Sequence, residues 1–227
     1  MKKYCLLALM KIFVLTLLLC PNAYAYMAVN IDDPAFTSLP FTMSFAAEGR
    51  IGNNAMNGDF EVDLHLNSGA PNVTDQAVWT KATATPFTVT YDALSKAVSY
   101  STLGKTLNWT YSAASVSDIF IRTRALQAES SMRVFNVLVN GESILGQSFA
   151  YPGNDPNYLW ISGLDPSANI VITGESIMDW GAVMPLHSQL AYQVKFGTVT
   201  PIPGAAWLLG SGLAGLIALR RKKKAGR

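Results

Sequence analysis

Between residues 26 and 200 the chain alternates apolar and polar side chains in short runs separated by turn residues, the pattern of half-buried β-strands. In FEVDLHL, Phe60, Val62, Leu64 and Leu66 share one face, and in FTVTY, Phe87, Val89 and Tyr91 do. TLNWTY groups Leu107, Trp109 and Tyr111, while QLAYQVKF groups Leu190, Tyr192, Val194 and Phe196. Each such strand is expected to keep one wet face. Leu103-Gly104-Lys105, Asn140-Gly141 after FNVLV and Ser162-Gly163 after YLWI read as hairpin turns. No stretch of this region sustains a long apolar 3.6-residue period. SDIFIRTRALQAES comes nearest, but Ile119, Ile121 and its β-branched content favour a strand. The pattern predicts an all-β domain, an antiparallel two-sheet β-sandwich or jelly roll, with a closed barrel as the alternative. No internal repeat is present, and the short GTVTPIPG before the tail is the one linker-like segment.

Both ends depart from that pattern. Lys2 and Lys3 precede an apolar run ending at Leu19, and Ala23-Tyr24-Ala25 supplies a small-x-small cleavage pattern, so residues 1–25 read as a secretory signal with the mature start at Tyr26. An uncleaved N-terminal anchor is the alternative. Cys20 lies between Leu19 and Pro21, which lacks the small residue that a lipidated cysteine wants before it. Residues 202–219 carry no charge; as a helix they would rise about 27 Å, enough to reach across most of a hydrocarbon core of about 30 Å. Arg220, Arg221 and Lys222 to Lys224 follow, and the positive-inside rule keeps such a cluster in the cytoplasm with the β-domain outside. Gly210, Gly212 and Gly215 make this a marginal, closely packable span, and Pro201 and Pro203 hold the chain extended just before it.

The order Pro201-Ile202-Pro203, then Trp207-Leu208-Leu209-Gly210-Ser211-Gly212-Leu213, then the basic cluster, resembles the PEP-CTERM sorting signal of exported Gram-negative proteins. That resemblance covers residues 200–227 and implies cutting near the two prolines by an exosortase-type membrane protease, after a signal peptidase has acted at the other end. Ile202 stands where the name-giving glutamate of the signal would be, which leaves the scissile bond unassigned. A permanent C-terminal anchor is the alternative. The domain of residues 26–199 faintly resembles choice-of-anchor extracellular β-modules through AEGRIGN, FTVTYD with TLNW, DIFIRTRA and SQLAYQVKFG; that resemblance implies no defined activity.

Composition narrows the chemistry. Both cysteines, Cys5 and Cys20, fall in the signal, so the mature chain has no disulfide, thiolate nucleophile or thiolate metal site. Residues 26–200 contain eight Lys and Arg against all fifteen Asp and Glu, a net charge of 8 − 15 = −7. Such a body repels phosphate backbones and argues against nucleic-acid binding. Two histidines, His65 and His187, and the absence of any nucleophile-elbow, zinc-protease, P-loop or dinucleotide motif leave no catalytic residue, metal or cofactor assigned. Asn72-Val73-Thr74 and Asn108-Trp109-Thr110 match the glycosylation sequon, a match that the resemblance to a bacterial sorting signal implies is accidental.

Two stretches carry candidate chemistry. In DFEVDLH, Asp59, Glu61, Asp63 and His65 project opposite the apolar face and could bind Ca²⁺ or a transition metal, or supply an acid and a base. Same-face strand neighbours lie about 7 Å apart, too far to chelate one ion unaided, so a solvated outer face or charged edge is the expectation. In YPGNDPNYLW, Asn154, Asp155 and Asn157 offer polar ligands beside Tyr158 and Trp160, as a sugar-binding loop does; the same run is a good turn without a ligand. The sequence therefore points to an exported, non-enzymatic protein of the cell envelope or extracellular matrix, meeting the membrane in transit, with either a structural role or an association with polysaccharide. A secreted hydrolase using carboxylates such as Asp59 or Asp63 is the rival.

Overall fold

The computed structural model describes residues 26–56, 59–66 and 71–200. Ala23 and Ala25, Pro201, Ile202 and Pro203, the 202–219 span, and Arg220 and Arg221 lie outside the described residues. Among the described residues no helix is long and apolar enough to cross a membrane.

The elements run β1 (Met27–Asp32), α1 (Asp33–Ser38), β2 (Phe41–Arg50), β3 (Val62–His65), β4 (Val73–Asp75), β5 (Thr85–Tyr91), β6 (Ala97–Thr102) and β7 (Lys105–Thr110). They continue with β8 (Asp118–Ala125), β9 (Ser131–Val139), β10 (Glu142–Ser143), β11 (Ser148–Ala150), β12 (Asn157–Ser162), β13 (Ile170–Asp179) and β14 (Leu190–Val199). Two antiparallel sheets result: β1-β12-β8-β14-β2-β3-β4, and β10-β9-β13-β5-β6-β7 with β11 also on β9. The first sheet draws on strands from both ends of the described chain, so its face is assembled from long-range pairings.

Most of the inward residues expected from the alternation are buried together, but Phe60 is only half-buried and Leu66, just past the end of β3, is 50% exposed. Phe87, Val89, Tyr91, Leu107, Tyr111, Leu190, Tyr192, Val194 and Phe196 all belong to one core. Tyr192 of the first sheet packs 5.3 Å from Phe87 of the second, ring centroid to centroid, and its hydroxyl meets that of Tyr100 at 2.7 Å. Pairing the two buried hydroxyls leaves neither unsatisfied.

Several expectations change. SDIFIRTRALQAES does form a strand, β8, but its outward face is open only in part, at Arg122 and Arg124, and β3 has no wet face: all four of its residues are buried. Trp109 shares a side with Leu107 yet is 43% exposed, because it stands at the end of the edge strand β7, past the packed interior. Leu103-Gly104 and Asn140-Gly141 are tight turns with positive φ at both residues, joining β6 to β7 and β9 to β10. Ser162-Gly163 joins no hairpin; β12 lies in the first sheet and the next strand, β13, in the second. Gly197, Thr198 and Val199, expected as linker, are the end of β14, paired with Met43, Thr42 and Phe41.

The short helix α1 was not expected. Its signal is local: Asp32 caps it by accepting from Ala35 N at 2.9 Å, and Pro34 occupies its first turn. Six residues are too few to show a helical period.

Candidate functional site

The outer face of the first sheet, the one turned away from the core, carries most of the ionisable chemistry. Register alone builds it. Tyr158, Arg122, Gln193, Glu48 and Asp63 are successive cross-strand neighbours over β12, β8, β14, β2 and β3. Two residues along, the next row reads Trp160, Phe120, Lys195, Ala46 and His65. A third row holds Arg124, Ala191 and Arg50. The lattice is thus aromatic at one end and charged at the other.

A slip in register supplies one further ring. Between Phe196 and Gly197 the pairing of β14 with β2 shifts by one residue, and such a bulge re-aims the side chains beyond it. Phe45 therefore packs into the core against Phe196, whereas Phe41, four residues away, turns outward onto Phe120 with centroids 4.6 Å apart. Gly197 is required there, since a Cβ would strike the Thr42 carbonyl and come within 2.7 Å of the Phe41 ring. From above, α1 lays Phe36 flat on Tyr158 at 4.2 Å and edge-on to Phe120 at 5.0 Å.

Two adjoining hollows follow. One, about 540 Å³, runs from Phe36 and Phe41 past Met43 to Lys195 and Gln193. The other, about 270 Å³, continues from Gln193 and His65 to Glu48, Asp63, Arg122 and Arg124. A larger depression, about 680 Å³, lies at the β6–β7 edge beside Trp109 and Val171. Its carboxylate, Asp92, is already engaged by the Leu94 and Ser95 amides and the Ser95 hydroxyl, which hold it below the usual carboxylate range. Convergent chemistry is therefore on the first sheet.

Electrostatics mark the same place. Burial, reinforced by the neighbouring Asp63 charge, pushes the Glu48 carboxyl up, against the opposing hydrogen bond from Gln193. Burial, with the Arg122 charge beside it, brings the Lys195 ammonium down to about 8. Burial also pushes the Tyr158 and Tyr192 phenols up to about 12. A pH dependence follows. Between about pH 8 and the ordinary lysine value of 10.5 the unfolded chain holds a proton that folded Lys195 has released, so stability rises with pH. Above pH 10 the unfolded tyrosines release protons that Tyr158 and Tyr192 keep, so stability falls. Denaturant midpoints from neutral to alkaline pH are expected to peak between pH 9 and 10, and Lys195→Met is expected to flatten the rising limb. A midpoint that only declines from pH 7 upward contradicts this assignment.

The residues singled out in the sequence separate. Asn154 Nδ2 donates to the Phe149 carbonyl at 3.3 Å, Asp155 accepts from Ala125 N at 2.8 Å, and Asn157 Oδ1 accepts from Phe149 N at 3.2 Å. Tyr158 and Trp160 lie elsewhere, on the outer face; Tyr158 donates to Asp33 at 3.0 Å and Trp160 Nε1 to Asp118 at 2.8 Å. The structure joins these two to the charged lattice, not to the Asn154–Asn157 turn.

DFEVDLH also divides, and the expectation of a solvated face does not hold. Asp59 pairs with Arg50. Glu61 is fully buried and caps backbone amides of two loops. Asp63 and His65 are buried beside Glu48, 3.3 Å apart at their closest atoms. The residues missed, Glu48, Arg122, Gln193 and Lys195, occupy polar positions of FAAEGR, DIFIRTRA and QLAYQVKF. Their common signal is an ion or amide at one or more outward positions of three strands far apart in sequence.

No protein-family model matches the chain, and no curated protein matches it in sequence.

Proposed function

We propose that this protein is exported to the bacterial envelope or extracellular matrix, its ends read by a signal peptidase and an exosortase-type protease, and that its body is a β-sandwich module binding acidic polysaccharide. The binding face is the outer side of the first sheet. One observation carries the reading: Arg50, Arg122, Arg124 and Lys195, four of the eight basic residues between 26 and 200, line that face beside Phe36, Phe41 and Trp160. Rings stack on the apolar faces of sugars, and guanidinium groups take carboxylates in bidentate fashion. A body of net charge −7 repels an anionic chain everywhere else.

The full chain is expected to be retained on an immobilised polyuronate at low salt and released by added salt, with little retention on a neutral glucan. Arg122→Ala combined with Lys195→Ala is expected to weaken retention about tenfold or more, which corresponds to about 1.4 kcal/mol, and Trp160→Ala is expected to weaken it as well. Equal retention of wild type and these variants, or none on either support, defeats the proposal.

The rival reading, a secreted carboxylate-dependent hydrolase, has one observation in its favour. Carboxylate oxygens of Glu48 and Asp63 lie within 4.8 Å of each other, near the spacing of about 5 Å used by retaining glycosidases, and Glu48 is pushed up as a general acid requires. Release of reducing ends from the bound polymer, abolished by Glu48→Gln, would establish it.

A further inference from the structure

The run Asp63-Leu64-His65 puts a carboxylate and an imidazole on the same side of β3, and the register sets Glu48 of β2 directly beside Asp63. Among the described residues, Glu48, Asp63 and His65 each offer one ligand atom, and all three atoms lie within 4.8 Å of one another. Asp63 is 3% exposed and His65 7%. Glu48 is half-buried, and two carboxylates held this close, one of them withdrawn from water, are stabilised by a cation between them. Yet no Lys or Arg of the described residues approaches either within 4.0 Å: Arg50 is engaged with Asp59, and Arg122 and Arg124 line the hollow without pairing.

Gln193 gives the independent observation. Its Nε2 donates to Glu48 Oε2 at 2.8 Å, which fixes the orientation of the amide, and its Oε1 is then shut off from water with no donor. A buried acceptor left so costs about 1–3 kcal/mol. A cation, or a water held by one, satisfies it and neutralises the carboxylates together.

We propose that Glu48, Asp63 and His65 bind one divalent transition-metal ion of the Zn²⁺ or Mn²⁺ class, with Gln193 Oε1 accepting from a water on that ion. The donor set selects the class, since Ca²⁺ and Mg²⁺ take oxygen alone whereas an imidazole beside carboxylates suits Zn²⁺ or Mn²⁺. Ligand atoms about 2.1 Å from a shared tetrahedral ion are about 3.4 Å apart, so rotamer adjustments that draw the atoms together by about 1 Å close the set. The ion would tie β3 to β2 where the sheet ends in the three-residue strand β4. This inference stands apart from the polysaccharide reading, because Arg122 and Lys195 are not its ligands.

The test uses the full chain, stripped with a chelator and titrated with Zn²⁺ or Mn²⁺ by calorimetry. One ion per chain and a raised unfolding temperature are expected, with no such shift from Ca²⁺ at the same concentration. Asp63→Asn and His65→Gln are each expected to weaken binding by about 10–100-fold or more, and Arg122→Ala with Lys195→Ala not to weaken it. X-ray absorption on the Zn²⁺-loaded wild type needs no variant to fold: one imidazole nitrogen among oxygens supports the site. A shell with no nitrogen or with two imidazoles, no stoichiometric binding, or equal affinity in folded Asp63→Asn overturns it.

Discussion

Glu61→Ala is expected to destabilise the protein by about 3–5 kcal/mol, the scale of breaking a buried charged arrangement by removing one side. Glu61 is fully buried. Its Oε1 accepts from Asn53 N at 3.0 Å and Ala55 N at 3.1 Å, and its Oε2 from Ala77 N at 3.4 Å. Hydrogen bonds to a charged acceptor contribute about 1.5–3 kcal/mol each, and every amide left unpaired adds a desolvation cost. The turn they hold is already strained, with φ of 56° at Asn54 and 64° at Ala55. Asn54 fastens the same turn to Trp79, accepting from its amide at 2.7 Å. Glu61→Gln keeps one acceptor and the shape, so its cost is expected to be less than half that of alanine. Denaturant unfolding of the three proteins checks this, and a loss below about 1 kcal/mol for Glu61→Ala would mean the side chain is solvated after all.

That same residue shows where the sequence stops being readable. Alternation reports that a strand has two unlike faces, and the inward face is then identified by its apolar side: Leu190, Tyr192, Val194 and Phe196 are buried as their spacing predicts. Nothing local reports what covers the polar side. Glu61 is polar by pattern, yet two loops fold over it; Asp63 and His65 are polar by pattern, yet β2 and β14 bring Glu48 and Gln193 alongside. Gln193 and Glu48 are 145 residues apart in the chain, and only the order β8-β14-β2-β3 makes neighbours of them. The bulge at Gly197 is equally non-local in effect, because strict period two would send Phe41 to the side of Phe45. Local signals did exist for α1, in Asp32 and Pro34, and for the hairpins at Gly104 and Gly141, whose positive φ matches the turn each closes.

Phe45→Ala is expected to cost as much as Glu61→Ala or more, through a different cause. Phe45 is fully buried where the sheets meet: its ring stacks on Phe196 at 4.5 Å and on Tyr111 at 5.2 Å, and tilts against Tyr91 at 5.6 Å. Truncation removes the transfer term and leaves a cavity, together about 3–5 kcal/mol for a phenylalanine, and aromatic pairs add about 0.5–1.5 kcal/mol beyond area burial. Little can collapse into the gap. Tyr91 is held by its hydroxyl, which donates to the Ala114 carbonyl at 3.1 Å, and Phe196 is fixed in register on β14. Phe45→Leu, which refills most of the volume, is expected to cost less than half as much. Phe41→Ala is the informative counterpart, because the bulge places that ring on the outer face, partly exposed: a smaller loss of stability is expected, together with weaker retention on polyuronate. Phe45→Leu, at a temperature where it stays folded, should leave retention intact. If Phe45→Leu and Phe41→Ala instead impair retention in proportion to their loss of stability, the outer face has no binding role of its own and the rings on it serve packing alone.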